Sequence, residues 1–133
     1  MYWIALLAAA AQDMPAPPDL DAVAAAPANH KIILENERVR VLEVVVAPGE
    51  TEPAHEHRWP SIIHIQSAQP AIDIKYAVRD GKLVETGRVR FEGGNPPPAL
   101  WVPREAPHAV QNLGTKPYRL IRVELKEPPS AAR

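Results

Sequence analysis

The run Ile72-Asp73-Ile74-Lys75-Tyr76-Ala77-Val78-Arg79-Asp80-Gly81 alternates apolar and polar residues and ends on an Asp-Gly pair. Successive side chains of a strand point to opposite faces. The spacing therefore puts Ile72, Ile74, Tyr76 and Val78 on an apolar face and Asp73, Lys75 and Arg79 on a wet one. Asp-Gly tolerates positive φ at both positions and predicts a two-residue hairpin. Val89 and Phe91 repeat the pattern between Arg88, Arg90 and Glu92, as do Ile121, Val123 and Leu125 between Arg122 and Glu124. The stretch Val39 to Val46 starts as alternation, with Arg38 and Arg40 outward, then turns apolar on both faces, as where a strand becomes enclosed or bulges. Pro48-Gly49, Gly87, Gly93-Gly94-Asn95-Pro96 and Asn112-Leu113-Gly114 punctuate these runs. Short strands with no helical period between them predict an all-β, antiparallel sandwich or barrel.

Composition narrows the class further. The chain has 133 residues, one domain's worth, with 15 Lys+Arg against 16 Asp+Glu and a net charge of −1. A balanced surface gives no basic stripe for nucleic acid or an anionic membrane. No apolar run approaches the ~20 residues of a membrane span. The absence of cysteine excludes disulfides, thiolate metal sites and a thiol nucleophile. Sixteen prolines in a chain this short leave no room for long helices.

The N-terminus reads as a separate piece. Residues 1–29 hold no Lys or Arg, and the apolar stretch from Trp3 to Ala11 ends in small residues. Residues 1–11 therefore look like a signal peptide without the usual positive start, which implies a periplasmic or secreted protein; an ordinary apolar tail on a cytoplasmic one is the alternative. Residues 12–29, rich in Pro and Ala, read as a linker in which Asp19 or Asp21 caps one helical turn through Ala26. The barrel is expected over 30–127, with a tail at 128–133.

Histidines carry the chemical signal. His55 and His57 are two apart, so on a strand they share a face and can converge on one first-row metal ion. Glu56 between them would point away. Taken alone the pair is also what two half-exposed strand residues look like. Its surroundings say more. Pro48 to His57 reads G-x5-H-x-H, and Val102-Pro103-Arg104-Glu105-Ala106-Pro107-His108-Ala109-Val110-Gln111-Asn112 reads P-x4-H-x3-N.

Together these two motifs resemble those of the cupins, small jelly-roll barrels of the double-stranded β-helix kind. The resemblance covers about residues 31–126 and includes the opening strand Asn36-Glu37-Arg38-Val39-Arg40-Val41. It implies a barrel whose interior holds one divalent transition metal (Zn, Fe, Ni, Cu or Mn) on His55, His57 and His108. Two departures stand out. Where the family has a glutamate ligand, four or five positions past the second histidine, this chain has Ser61 and Ile62. Where the second motif has glycine it has Glu105, which is not expected to replace the lost carboxylate because nothing fixes it inward. Parity bears on His64. If Ser61 faces the cavity, so do Ile63 and Ile65, and His64 faces away; the opposite phase puts His64 inside and two isoleucines outside. The first phase is preferred. His30, at the domain edge, reads as surface.

Trp59 and Arg58 follow the His pair and are candidates, with His64, for contacting a ligand: the indole by stacking, the guanidinium by meeting a carboxylate. Trp101 reads as core. Three neutral nitrogens leave a metal position open, so the site suits a small-molecule ligand and an oxygenase or isomerase. A binding module without turnover, and a metal-free structural barrel that forms a homodimer, are the alternatives.

Overall fold

The structure, a computed structural model, describes residues 14–127. The signal-peptide reading falls on residues outside that range, as does the tail. Among the described residues, ten strands form two five-stranded antiparallel sheets. One has the order β1 (Met14–Pro15), β7 (Lys82–Phe91), β6 (Ala71–Arg79), β9 (Glu105–Asn112), β4 (His55–His57). The other runs β2 (His30–Glu35), β3 (Val39–Val46), β10 (Tyr118–Leu125), β5 (Ser61–Ser67), β8 (Leu100–Val102). Sequential strands alternate between sheets wherever the chain crosses over, which is the all-β jelly-roll expected from the period. Among the described residues no helix is long and apolar enough to cross a membrane.

The Asp-Gly hairpin forms where its chemistry dictates. Arg79 pairs with Lys82, and Asp80 (φ 51°) and Gly81 (φ 72°) make the turn between β6 and β7. A Cβ at Gly81 would meet nothing, so only the backbone constrains the position. Gly81→Val is therefore expected to cost about 1–2 kcal/mol in urea unfolding, from the left-handed conformation alone. Gly87 ends no strand. It lies in β7 beside a bulge, where the register slips between Lys75 and Tyr76.

The interior is not where simple alternation puts it. On β10 the buried residues are Leu120, Arg122 and Glu124, while Ile121, Val123 and Leu125 are half-exposed on the outside. On β3 Arg40 is buried with Leu42, Val44 and Val46. On β6 Asp73, expected on a wet face, is buried. Polar residues on these strands face the barrel interior at one end and compensate one another there. The apolar cluster of Leu42, Val44, Ile63 and Leu120 occupies the rest. Ser61 and Ile63 are buried and Ile62 and His64 exposed, the first of the two phases.

The segment read as a linker is structured from Met14 onward. Met14 and Pro15 pair with Leu83 and Lys82, and Asp21 caps the helix α1 (Ala22–Ala25) by accepting from the Val23 amide. Ala22 and Ala26 are fully buried. Small side chains read as linker composition because they add little hydrophobic area individually; here they let the helical turn pack closely against the barrel. Trp101 is 63% exposed, so the core expectation fails for it: it lies on β8, an edge strand, opposite the exposed Ile62.

Candidate functional site

The three motif histidines meet inside the barrel. β4 pairs with β9 so that His55 lies opposite His108 and His57 opposite Glu105. Ring centroids are 4.9 Å apart for His55 and His57, 4.7 Å for His55 and His108, and 5.5 Å for His57 and His108. All three are at least 95% buried. They line one end of a cavity of about 440 Å³ whose other walls include Val44, Ile63, Leu100 and Leu120.

His30 joins them. Its ring centroid is 4.4 Å from that of His55 and 5.7 Å from that of His57, and it is 3% exposed. The surface reading is corrected: His30 opens β2 directly after α1, and that docked turn covers it. Sequence gives no motif for His30. The available signal was the cap at Asp21, which places the following strand against the barrel.

Glu105 also points in. The register between β4 and β9 slips, with His55 and His57 opposing residues three apart, and this bulge brings Glu105 and His108 to the same side. Arg122 fixes the carboxylate at 2.5 Å and donates its Nε–H to Ser61 Oγ at 3.0 Å. The expectation that nothing holds Glu105 inward is thus corrected. Its other oxygen lies 3.5 Å from His108 Nε2. Ser61, small where the family pattern has glutamate, leaves the space that Arg122 occupies. Glu52 is a further carboxylate at the site, 3.7 Å from His55 Nε2, with one oxygen buried and unpartnered.

Burial decides the charge state of the rings. It pulls His30 down to about 4 and His55 and His57 well below the usual imidazole value, with neighbouring histidines and Arg122 adding to the effect. On His108 burial acts in the same direction, but the hydrogen bond to Asp73 and the charges of Glu105, Asp73 and Glu52 outweigh it, and the ring is raised. Burial pushes Glu52 up to about 7. The neutral imidazole that burial favours is the form that ligates a metal.

Hydrogen bonds choose which nitrogen ligates. His108 Nδ1–H donates to Asp73 Oδ1 at 2.8 Å and His55 Nδ1–H to the Pro53 carbonyl at 2.9 Å. Each Nε2 then carries its lone pair toward the cavity. His108 Nε2 is buried without any partner. A carboxylate behind a histidine whose far nitrogen is orphaned is the arrangement that orients a metal ligand. The donor set fits a divalent ion of the imidazole-binding kind. One ligand atom from each of His57, Glu105 and His108 lies within 4.8 Å of the others.

The other candidates lie elsewhere. Arg58 is exposed and pairs with Asp19 and Glu56; His64 Nδ1 meets the Pro98 carbonyl on the outer face. The Trp59 ring packs under Arg40 and Lys126, at 5.2 and 5.9 Å. None of the three lines the cavity.

A cupin domain from Bordetella pertussis Tohama I superposes with a TM-score of 0.53, at 19% identity, over 74% of this chain and 92% of that one. This chain has the cupin fold. An RmlC-like cupin with a double-stranded β-helix from Methanocaldococcus jannaschii (17% identity, 72% of this chain and 77% of that one, TM-score 0.48) is also similar. So is a cupin barrel protein from Salinispora arenicola (19%, 73% and 74%, 0.46). No protein-family model matches the sequence, and the search of curated proteins finds no relative. At such identities the likeness speaks for the cupin fold alone, and function rests on the site.

Proposed function

We propose that this cupin binds one divalent transition metal ion inside the barrel through Nε2 of His55, His57 and His108, and presents it to a small molecule in the cavity. The observation that carries this reading is His108: a buried Nε2 with no partner, on a ring held from behind by Asp73. A buried lone pair left without a donor costs about 1–3 kcal/mol, and a metal ion removes that cost. The cavity, about 440 Å³, is of the size that takes a small organic ligand. Its histidine end favours an oxygen donor, and the wall of Val44, Ile63, Leu100 and Leu120 favours an apolar body beyond it. A bound ion would supply Lewis acidity to that oxygen. The chain's own part is to hold the rings in the ligating tautomer, exclude bulk water and orient the ligand along the apolar wall.

Elemental analysis and zinc calorimetry on the purified protein test the reading. About one equivalent of metal, present or taken up, is expected. No metal on isolation together with no heat on zinc addition would overturn it. Oxygen uptake with small diketones, phenols and thiols then separates turnover from binding alone.

A further inference from the structure

Three of the four buried histidines, His30, His55 and His108, share one hydrogen-bonding design. His30 Nδ1–H donates to the Ala26 carbonyl at 3.0 Å, just as His55 donates to Pro53 and His108 to Asp73. His57 Nδ1 faces Glu124 Oε2 at 3.7 Å, beyond hydrogen-bond distance, and neither atom has a hydrogen-bond partner. For His30, His55 and His108 the acceptor lies behind the ring and claims Nδ1, so the lone pair resides on Nε2. One ligand atom from each of His30, His55 and His57 lies within 4.8 Å of the others.

A packing histidine would have its second nitrogen satisfied by a donor. His30 Nε2 has no such donor: the nearest charged group is Glu52, at 3.9 Å, beyond hydrogen-bond reach. Burying an imidazole beside two others is costly, and a cation held by the three rings offsets that cost. The position also makes chemical sense. Ser61 offers no carboxylate, and Arg122 engages the Glu105 carboxylate beside it.

Resting on the metal-binding reading above, we propose that His30 is a fourth imidazole ligand, giving a centre of four neutral nitrogens in which a segment just after α1 completes the site. Four imidazoles and no firmly bound anion leave the ion its full charge and favour borderline metals such as Cu(II) and Zn(II) over oxygen-preferring ones. Octahedral or five-coordinate ions keep a position for a ligand oxygen facing the cavity. The N-terminal segment is then a functional part of the barrel, since Ala26 and Asp21 set the ring that ligates.

Cu(II) bound to the purified full-length protein, read by electron paramagnetic resonance, counts the nitrogens directly. The wild type is expected to show superhyperfine splitting from four nitrogens, and His30→Ala splitting from three, with zinc affinity about 100-fold lower. Changing even an outer partner of a ligand costs some 10–100-fold. Glu105→Gln should keep the four-nitrogen pattern. Three nitrogens in the wild type would overturn the proposal and leave the three-histidine reading standing; no copper bound at all would remove both. The wild-type spectrum decides even if His30→Ala does not fold.

Discussion

His57→Ala is expected to produce the largest loss of metal binding of any single substitution, lowering zinc affinity by two orders of magnitude or more. The reason is position. His57 belongs to both groups of ligand atoms that approach within 4.8 Å, the one with His30 and His55 and the one with Glu105 and His108. Structural zinc sites bind with about 10–16 kcal/mol, so each of three or four donors accounts for roughly 3 kcal/mol, about a hundredfold. The ring also lies 3.7 Å from Glu124 Oε2, a buried oxygen with no hydrogen-bond partner. Removing the ring leaves the ion short of a ligand. Competition between the protein and a chromophoric chelator measures the change. An affinity within about threefold of wild type would place the ion elsewhere in the barrel.

Strands and turns were legible in this sequence, and the direction in which polar residues face was not. Alternation depends only on the backbone, so β3 and the Asp80-Gly81 turn appear where the pattern puts them. Which phase faces inward depends on what lies opposite, and here the interior end of the barrel is polar. Arg40, Asp73, Arg122 and Glu124 look like surface one strand at a time. They are buried because Arg40 finds Glu124, Asp73 finds His108, and Arg122 finds Glu105 and Ser61. The three motif histidines could be grouped because their motifs are recognisable. His30 and Glu105 could not: one depends on a short helix built from alanines, the other on a bulge between β4 and β9. Both are effects of tertiary context that no local period reports.

Arg40→Met should be the most destabilising change outside the histidines, by about 3–5 kcal/mol. Arg40 donates its Nε–H to Glu124 Oε1 at 2.6 Å and its terminal nitrogens to both oxygens of Asp21, at 2.7 and 3.0 Å. Glu124 is fully buried and Asp21 nearly so, and removing the cation strands both carboxylates. The effect reaches past β3, because Asp21 caps α1, the turn whose Ala26 carbonyl holds His30, while Glu124 stands behind His57. One guanidinium thus supports the N-terminal segment and the site together. Urea unfolding would show a lower midpoint with the slope little changed. Arg40→Met combined with Glu124→Leu should lose less than the sum of the two single changes, since the pair is then replaced rather than broken. The pH dependence carries its own sign. Burial alone would raise Asp21, but the hydrogen bonds and charge of Arg40 outweigh it and hold the carboxyl below its ordinary 3.8. Asp21 therefore adds stability above that value and loses it as pH falls through its lower, folded-state pKa. The gap between wild type and Arg40→Met should narrow in acid for that reason. A gap unchanged between neutral pH and about pH 3 would mean that Arg40 stabilises the fold through packing on Trp59 and not through its charge.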